Sequence, residues 1–232
     1  MLIGVINAIP LHLINSFVLV RKAAGDILLN DKWEAYLKES GADFVRFVDI
    51  SSLPENASGG YSYAVLFGKA LSKGYLKMLI DGRKPERNEF GETEDAMDEL
   101  ADAFAQKLTS DGFKSVSGLE YGVLPHKTIA RMAGLGFIGK NTLLVSDDYG
   151  CALVLGKVLT SAPFVARQIS PSKNDCGECS LCADACQPKA LSGTPWRLAE
   201  NWRNEMLDEN KCTVCMKCMI ACPHTVRYAF SE

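Results

Sequence analysis

A pair of short cysteine runs constrains this chain more than any other feature. The first reads CGECSLCADACQP over residues 176–188, and the second reads CTVCMKCMIACP over residues 212–223. Both have the spacing C-x2-C-x2-C-x3-C, and a proline follows the last cysteine directly or after one residue. Of the nine cysteines in the chain, only Cys151 lies outside these runs. The repeated spacing indicates that the thiols act together as ligands.

The spacing favours iron–sulfur clusters over zinc. Structural zinc takes four ligands, usually as two separated pairs, whereas here four cysteines follow one another closely in each run. In two-cluster ferredoxins three cysteines of a tight loop bind one cubane, and the fourth cysteine of that run binds the other. We therefore predict two [4Fe-4S] clusters, the first held by Cys176, Cys179, Cys182 and Cys222 and the second by Cys186, Cys212, Cys215 and Cys218. Each proline is expected to begin a short helix whose N-terminal dipole faces an anionic cluster.

Composition narrows the class of protein and its compartment. The 232 residues are 47% hydrophobic and 23% charged, which suits a soluble protein with one medium and one small domain. A net charge of -3 does not support nucleic-acid binding as the main role, because nucleic-acid-binding domains are usually basic. Disulfide frameworks belong to secreted chains, and the N-terminus lacks the basic start and cleavage site of a secretory signal. The free thiols therefore predict a reducing, cytoplasmic location.

The N-terminal 20 residues carry no formal charge and have the length of a membrane span. Polar residues and a proline interrupt them, at Asn7, Pro10, His12, Asn15 and Ser16. Such breaks make insertion costly. We expect that this segment is a buried strand or helix, or that the translation start is placed too far upstream. We do not expect a membrane anchor.

The rest of the chain predicts an α+β domain over residues 1–165 and a small cysteine domain over 166–232, with the polar stretch from 165 as boundary. Apolar and β-branched runs predict strands at 44–50, 63–68, 142–146 and 152–160. Helical periodicity and caps predict helices at 30–41, 93–110 with Thr93 as N-cap, 126–133, and near 196–207.

A glycine-rich loop, AGLGFIGKN, precedes the predicted strand at 142–146. A helix-like segment comes before it and a strand after it, which is the reverse of a dinucleotide fingerprint, and Asn141 stands where a P-loop has Ser or Thr. The simplest interpretation is a tight turn that ends a helix. The functional alternative is a bare backbone that approaches a large flat cofactor, with Gly134, Gly136, Gly139 and Lys140 as cofactor-binding residues.

The stretches LPHKTIARMAGLGFIGKNTLLV and YGCALVLGKVLTSAP, followed by the two cysteine runs, resemble the epoxyqueuosine reductase family and, more distantly, the reductive dehalogenases. The resemblance implies a nitroreductase-like α+β domain that holds cobalamin beside a bacterial-ferredoxin-like domain. It also implies an iron–sulfur reductase, in which the clusters pass electrons to cobalt, which reduces the substrate.

The chain departs from the family pattern in two places. Glu120 aligns with the family's proton-donating acid, while His126 and Lys127 replace the Glu-Arg pair that follows it, so Glu120 and His126 are the candidate catalytic residues. The helical repeats that bind transfer RNA in full-length members are missing, so we expect a small-molecule substrate and not transfer RNA, with a flavodoxin or ferredoxin as electron donor. The alternatives are a ferredoxin-type electron carrier whose N-terminal domain docks a partner without a corrinoid, and a membrane-tethered redox subunit.

Overall fold

The computed structural model describes residues 29–118, 124–166, 172, 175–197 and 203–232. The apolar N-terminal segment and Glu120 lie outside the described residues, so the interpretations of both stay predictions. Among the helices of the described residues, none is both long and apolar enough to cross a bilayer.

A four-stranded antiparallel sheet forms the centre of the molecule. Its strands are β1 (Phe44–Asp49), β2 (Tyr63–Ala70), β3 (Ser115–Ser117) and β6 (Leu153–Thr160), in the spatial order β1-β2-β6-β3. Phe44 pairs with Gly68 across β1 and β2, and Tyr63 pairs with Thr160 across β2 and β6. The strands predicted at 44–50, 63–68 and 152–160 are confirmed, whereas β3 has only three residues and leaves too little alternation to detect.

Two helices cover one face of this sheet. They are α1, over residues 29–39, and α4 (Glu89–Ser110). Trp33 of α1 lies 5.3 Å from the ring of Phe104 of α4, and Phe104 lies 6.4 Å from Phe67 of β2. All three rings are buried, and they anchor the larger of two hydrophobic clusters.

The start of α4 corrects the predicted cap. The helix begins at Glu89, and the side chain of Asn88 accepts a hydrogen bond from Gly91 N at 3.3 Å as N-cap. Thr93 lies one turn inside the helix, where its hydroxyl donates to the Glu89 carbonyl at 2.6 Å. The prediction that Thr93 caps the helix is therefore wrong, because Asn88 satisfies a first-turn amide one turn earlier.

The opposite face of the sheet carries α5 (His126–Met132) and a hairpin of β4 (Gly136–Ile138) and β5 (Leu144–Ser146). Ile129 and Ala130 of α5 are fully buried in a second hydrophobic cluster with Leu66 of β2 and Leu159 of β6. Two further helices, α2 (Glu55–Ser58) and α3 (Lys73–Ile80), flank β2 along the chain. The predicted helix at 126–133 is confirmed, and the strand predicted at 142–146 is the shorter β5.

The cysteine runs lie among four short helices, α6 (Leu181–Asp184), α7 (Arg203–Met206), α8 (Lys217–Ile220) and α9 (Pro223–Phe230). Pro223 occupies the first turn of α9 as predicted, but Pro188 lies in a turn, so the expectation of a helix there is wrong. The α9 helix packs on α3, and Tyr228 OH donates to the Leu71 carbonyl at 3.2 Å. Met219, Cys222 and Ala229 are buried in the larger sheet cluster. The two predicted domains therefore share a core, and their boundary stays a prediction, because residues 167–171 are not described.

Candidate functional site

Two cavities among the described residues are lined by cysteines, and the smaller of these two joins the two cysteine runs. It has a volume of about 80 Å³, and four cysteines line it, namely Cys176, Cys179, Cys182 and Cys222. Three of these come from the first run, and the last comes from the end of the second. The hairpin supplies Phe137 and Val145 to the wall, and the ring of Phe137 meets that of His224 edge to face at 5.7 Å.

The larger of these two cavities contains the cysteines of the two runs that the smaller one lacks. Its volume is about 340 Å³, and five cysteines line it, Cys151, Cys186, Cys212, Cys215 and Cys218. Each predicted set of four therefore lines one cavity, and Cys151 is a fifth cysteine in the larger one. Within the described ranges no group of three or more His, Cys, Asp or Glu side chains is arranged to hold a metal ion directly. The assignment of ligands accordingly rests on the cavities that the cysteines line.

Tight loops and two short helices orient the thiols. Cys182 lies in α6 and Cys218 in α8, and these two helices contact one another. In the second run Val214 and Met216 have φ values of 50° and 58°, a left-handed conformation that is unfavourable for a β-branched residue such as valine. A loop that holds such a conformation needs a strong local restraint, which bonds to a cluster would supply.

Burial and hydrogen bonds act differently on individual thiols. Burial raises the pKa of Cys182 and that of Cys218 to about 11, so neither would ionise at neutral pH without a cation. Cys222 has a lowered pKa, mainly because the Cys151 thiol donates a hydrogen bond to it, with further help from backbone amides of His224 and Thr225. Cys222 is therefore already stabilised as a thiolate at the start of α9.

Lys140 is hydrogen-bonded to the first cysteine loop. Its backbone N–H donates to Cys176 Sγ at 3.4 Å, and its Nζ donates to the carbonyls of Gly177 and Cys179 at 2.9 Å and 3.0 Å. The sequence predicts a lysine free to bind a cofactor phosphate. In the structure its ammonium is engaged with the chain's own backbone and secures the loop that carries two cluster-ligand candidates.

The glycines of the loop serve the chain's own packing. Gly134, with a φ of 66°, ends α5, where its N–H donates to Arg131 O and the next amide, of Leu135, donates to Ala130 O, as in a Schellman motif. This confirms the tight turn that ends the helix.

Gly136 and Gly139 let the hairpin close. A Cβ on Gly136 would lie 2.0 Å from the Val145 carbonyl oxygen, and one on Gly139 would lie 2.8 Å from Val145 Cγ2. The space that a side chain would fill is thus occupied by β5. Among the described residues, these glycines are explained by the hairpin without a cofactor.

The larger cavity also contains the ionisable pair at the start of α5. His126 and Lys127 both line it. Burial, helped by the charges of Lys157 and Lys127, lowers the pKa of His126 to about 4, so the ring is neutral at pH 7. A neutral imidazole is a weak general acid, which disfavours the predicted role of His126 as proton donor.

Lys127 is the functional candidate that sequence reasoning missed. Burial, with a smaller contribution from Arg203, lowers its pKa to about 8. Its Nζ donates to the Thr142 carbonyl at 2.6 Å, at the turn of the hairpin. A protonated group with a pKa near neutrality is well suited to proton transfer. The sequence places Lys127 next to His126, but only the fold buries its ammonium.

Comparison with known proteins identifies the relatives of the chain, although no family model matches it. The epoxyqueuosine reductase of Lactococcus garvieae is 40% identical over 95 residues, which are 41% of this chain and 26% of the relative. That of Staphylococcus aureus is 33% identical over 116 residues, 50% of this chain and 27% of the relative. Over these segments the chain is similar in sequence to the epoxyqueuosine reductases. The expected family resemblance is confirmed, and the match spans about a quarter of the length of these two curated relatives.

Solved structures of other proteins share the fold of this chain. An epoxyqueuosine reductase with an epoxyqueuosine-modified tRNA-Tyr stem loop matches with a TM-score of 0.59 and 18% identity, covering 88% of this chain and 67% of that one. The catabolic reductive dehalogenase NpRdhA, in complex with 3-bromo-4-hydroxybenzoic acid, matches with a TM-score of 0.58 and 20% identity, covering 80% of this chain and 30% of that one. The mixed α and β fold is therefore shared with both groups.

One expectation about partners is wrong. The sequence analysis predicts that transfer RNA is not a partner. A neighbour of the same fold is an epoxyqueuosine reductase with a modified tRNA stem loop, so the argument against transfer RNA does not hold for this fold.

Proposed function

We propose that the protein is an iron–sulfur reductase of the epoxyqueuosine reductase type with two [4Fe-4S] clusters. The observation that carries this proposal is the composition of the two cavities, because each joins three cysteines of one run to the fourth cysteine of the other. That exchange of the fourth ligand is the arrangement of two-cluster ferredoxins. Cys176, Cys179, Cys182 and Cys222 would hold the first cluster, and Cys186, Cys212, Cys215 and Cys218 the second.

The mixed α and β fold is shared with both groups of structural neighbours, and we propose a more detailed description of it. We assign the sheet with α1, α4 and α5 to a nitroreductase-like part and residues 175–232 to a bacterial-ferredoxin-like part. Support comes from the antiparallel sheet with helices on both faces and from the paired α6 and α8 that carry equivalent cysteines. A cytoplasmic location stays a prediction from the cysteine content.

The larger cavity is the proposed site of reduction. It extends from the cysteines of the second cluster to His126 and Lys127, so an acceptor bound there would lie beside both an electron source and a proton source. Removal of an epoxide oxygen as water consumes two electrons and two protons. The two clusters would supply the electrons one at a time, the Lys127 ammonium would donate one proton to the departing oxygen, and solvent would supply the second proton. Neutral His126 would contact the substrate without donating.

The proposed substrate is an epoxide-bearing modified base in transfer RNA. The names of the curated relatives and the stem loop held by the structural neighbour support this choice. Two cations line this cavity, the half-buried Lys217 of α8 and the exposed Arg203 of α7, which forms an ion pair with Glu209. Their positive charges would attract the phosphate backbone that flanks the base.

The described residues do not fit the predicted cobalamin. The glycine loop packs against β5 and Lys140 is held by the first cysteine loop, so neither is open to a corrin. The larger cavity, at about 340 Å³, is near the small end of pockets for drug-sized ligands. A corrinoid is several times larger than such ligands, and the second cluster would share the space. We therefore derive no step through cobalamin, whose binding stays a prediction.

This misfit favours a second candidate function, the ferredoxin-type electron carrier. In that case the clusters would pass electrons to a partner protein, and the sheet region would dock it. Cys215 is exposed, so the second cluster would be accessible to such a partner. The two functions differ in whether the protein alone, with a chemical reductant, converts a modified stem loop.

The decisive experiment uses anaerobically reconstituted full-length protein. Iron and sulfide analysis is expected to give about eight of each per chain. Cys222→Ala and Cys186→Ala form a matched pair, because each should remove the cluster of the opposite run. A Cys222→Ala protein that loses the cluster of its own run, or a wild type with stoichiometric zinc, would contradict the ligand assignment.

The same preparation distinguishes the two functions. With a low-potential chemical reductant and an epoxyqueuosine-modified stem loop, the reductase should convert the epoxide of the base to an alkene while the base stays in the RNA. Reactions with and without added cobalamin are run as separate arms. Turnover only with cobalamin would establish the corrinoid despite the small cavity. Intact clusters without turnover in either arm would favour the electron carrier.

A further inference from the structure

Two side chains near the start of α4, Phe90 and Glu94, line the larger cavity together with Lys127. They lie four residues apart, so both project from the same face of the helix. The ring of Phe90 is partly buried against the larger hydrophobic cluster, whereas Glu94 is exposed and open to an incoming substrate. The helix therefore adds one aromatic ring and one carboxylate to the wall of the proposed reduction site.

Glu94 is the single acid among the described residues that line this cavity. The other charged side chains of the lining are cations, namely Lys127, Arg203 and Lys217. Cations attract the phosphate backbone of any RNA and carry no information about its sequence. A carboxylate is unfavourable for that attraction, so its presence in this wall calls for a different role.

The carboxylate of Glu94 has no partner within the described part of the chain. No described group donates a hydrogen bond to it or forms an ion pair with it, and the charged groups that act on it are Asp98 and Asp95, both acids. Burial, helped by these two negative charges, raises the pKa of Glu94. A ligand that brings N–H donors to this carboxylate would therefore stabilise its ionised form.

The combination of a ring and an unpaired carboxylate suits a base that has left its stack. Enzymes that act on a base in a nucleic acid read its Watson–Crick edge by hydrogen bonds and stack its face on aromatic side chains. An ionised carboxylate only accepts hydrogen bonds, so it favours an edge with adjacent N–H donors and disfavours one with acceptors. A guanine-type edge offers two such donors, its N1–H and its exocyclic amino group.

We infer that Glu94 is a specificity-determining residue, which accepts hydrogen bonds from the N–H donors of a guanine-type edge while the ring of Phe90 contacts the face of that base. The inference rests on the proposed transfer RNA substrate and names the base that the site selects. Binding of the base edge at the α4 wall leaves the Lys127 wall for the epoxide.

The first test measures binding, without turnover, in the reconstituted full-length protein. The probes are two unmodified stem loops that carry either guanine or hypoxanthine at the target position, because hypoxanthine lacks the amino donor. Wild type should bind the guanine stem loop about 10-fold more tightly. Glu94→Gln, which keeps the shape of the side chain but not its charge, should lose this preference. Fluorescence anisotropy at one fixed salt concentration gives each Kd, since phosphate contacts depend on salt.

The second test uses turnover of the modified stem loop. Glu94→Gln should raise KM by about 10-fold and change kcat little, because the lost contact is to a part of the base that does not react. Phe90→Leu should weaken the binding of both unmodified stem loops alike, because stacking on an aromatic ring tolerates any base. Wild-type affinity in Phe90→Leu would exclude the ring contact.

A matched control distinguishes base recognition from a change in net charge. Asp98 lies one turn further along α4 and is not among the residues that line the cavity, so Asp98→Asn removes the same charge and should keep the guanine preference. Equal loss of preference in Asp98→Asn and Glu94→Gln would overturn the inference. A wild type without guanine preference, or Glu94→Gln with the wild-type preference and KM, would overturn it as well. A wild type that neither binds a stem loop nor converts the modified one would instead refute the proposed function.

Discussion

The sheet region, residues 29–166, and the cysteine region, residues 175–232, are stabilised in different ways. The sheet has a hydrophobic cluster on each face, built from large side chains such as Phe67 and Leu66 that are fully buried. In the described part of the cysteine region, Cys186, Ala190 and Leu207 form a small cluster of their own. Three of its other buried side chains, Met219, Cys222 and Ala229, belong to the sheet's core. One region thus folds by burial of apolar surface, and the other depends on docking and, in our proposal, on metal bonds.

Removal of the clusters should produce the largest effect and should separate the two regions. Apo-protein is expected to lose hydrogen-exchange protection in residues 212–222, because bonds from four thiolates to each cluster replace a core there. Amides of β2 and β6, which are paired inside the sheet, should stay protected. Hydrogen exchange with mass spectrometry measures both at once. Full protection of residues 212–222 without iron would show that docking alone stabilises this region.

A core deletion in the sheet should damage the first region by a different mechanism. Phe67 is fully buried against Phe104, and Phe67→Ala should lower the free energy of unfolding by about 3–5 kcal/mol through lost burial and a cavity. Phe230 is 56% exposed, so Phe230→Ala is the matched control and should change it by about 0.5 kcal/mol or less. Denaturant unfolding measures both. Equal effects would mean that the sheet core does not dominate stability.

Lys127 lines the larger cysteine-lined cavity, which has walls from both the sheet region and the cysteine region. Substitution of Lys127 therefore tests whether that cavity is the site of reduction. Lys127→Met should lower turnover of a modified stem loop by about 10²–10⁴-fold, because a positioned proton donor is removed. Since the pKa of Lys127 is about 8 and the protonated form donates, wild-type activity should fall as pH rises through this value. A Lys127→Met protein with the wild-type pH profile would exclude the lysine. His126→Gln is the control and should keep the profile, because His126 is already neutral.

Substitution of His126 should have the smallest effect of the changes proposed. It should alter the free energy of unfolding more than the rate of catalysis. The pKa of His126 is about 4 in the folded protein and 6.5 ordinarily, so the unfolded state binds the proton more readily. The neutral ring therefore adds stability above pH 6.5 that is lost as pH falls through 4, by up to about 3 kcal/mol. His126→Gln should flatten this part of the stability curve. Urea midpoints between pH 7 and 4 measure it, and parallel curves would contradict the buried, neutral assignment.

The local sequence pattern correctly predicted those strands and helices whose own residues show a clear apolar pattern. The apolar runs of 63–68 and 152–160 became β2 and β6, and the helical face of 93–110 became most of α4. The four-residue error at the start of α4 arose because Asn88 and Thr93 are both acceptable caps in sequence. Only the packing of the helix on the sheet decides which of them begins it.

For the site, the sequence by itself predicted which cysteines belong together, because the ligand set of a two-cluster ferredoxin follows from short, repeated spacings. The contacts made by Lys140, Gly136 and Asn141, by contrast, depend on the tertiary structure. Lys140 reaches carbonyls 37 and 39 residues away, and Asn141 reaches one 77 residues away. Such partners leave no periodic signal in a single sequence. The lowered pKa of Lys127 likewise comes from burial, which depends on the hairpin and α7 folding around it.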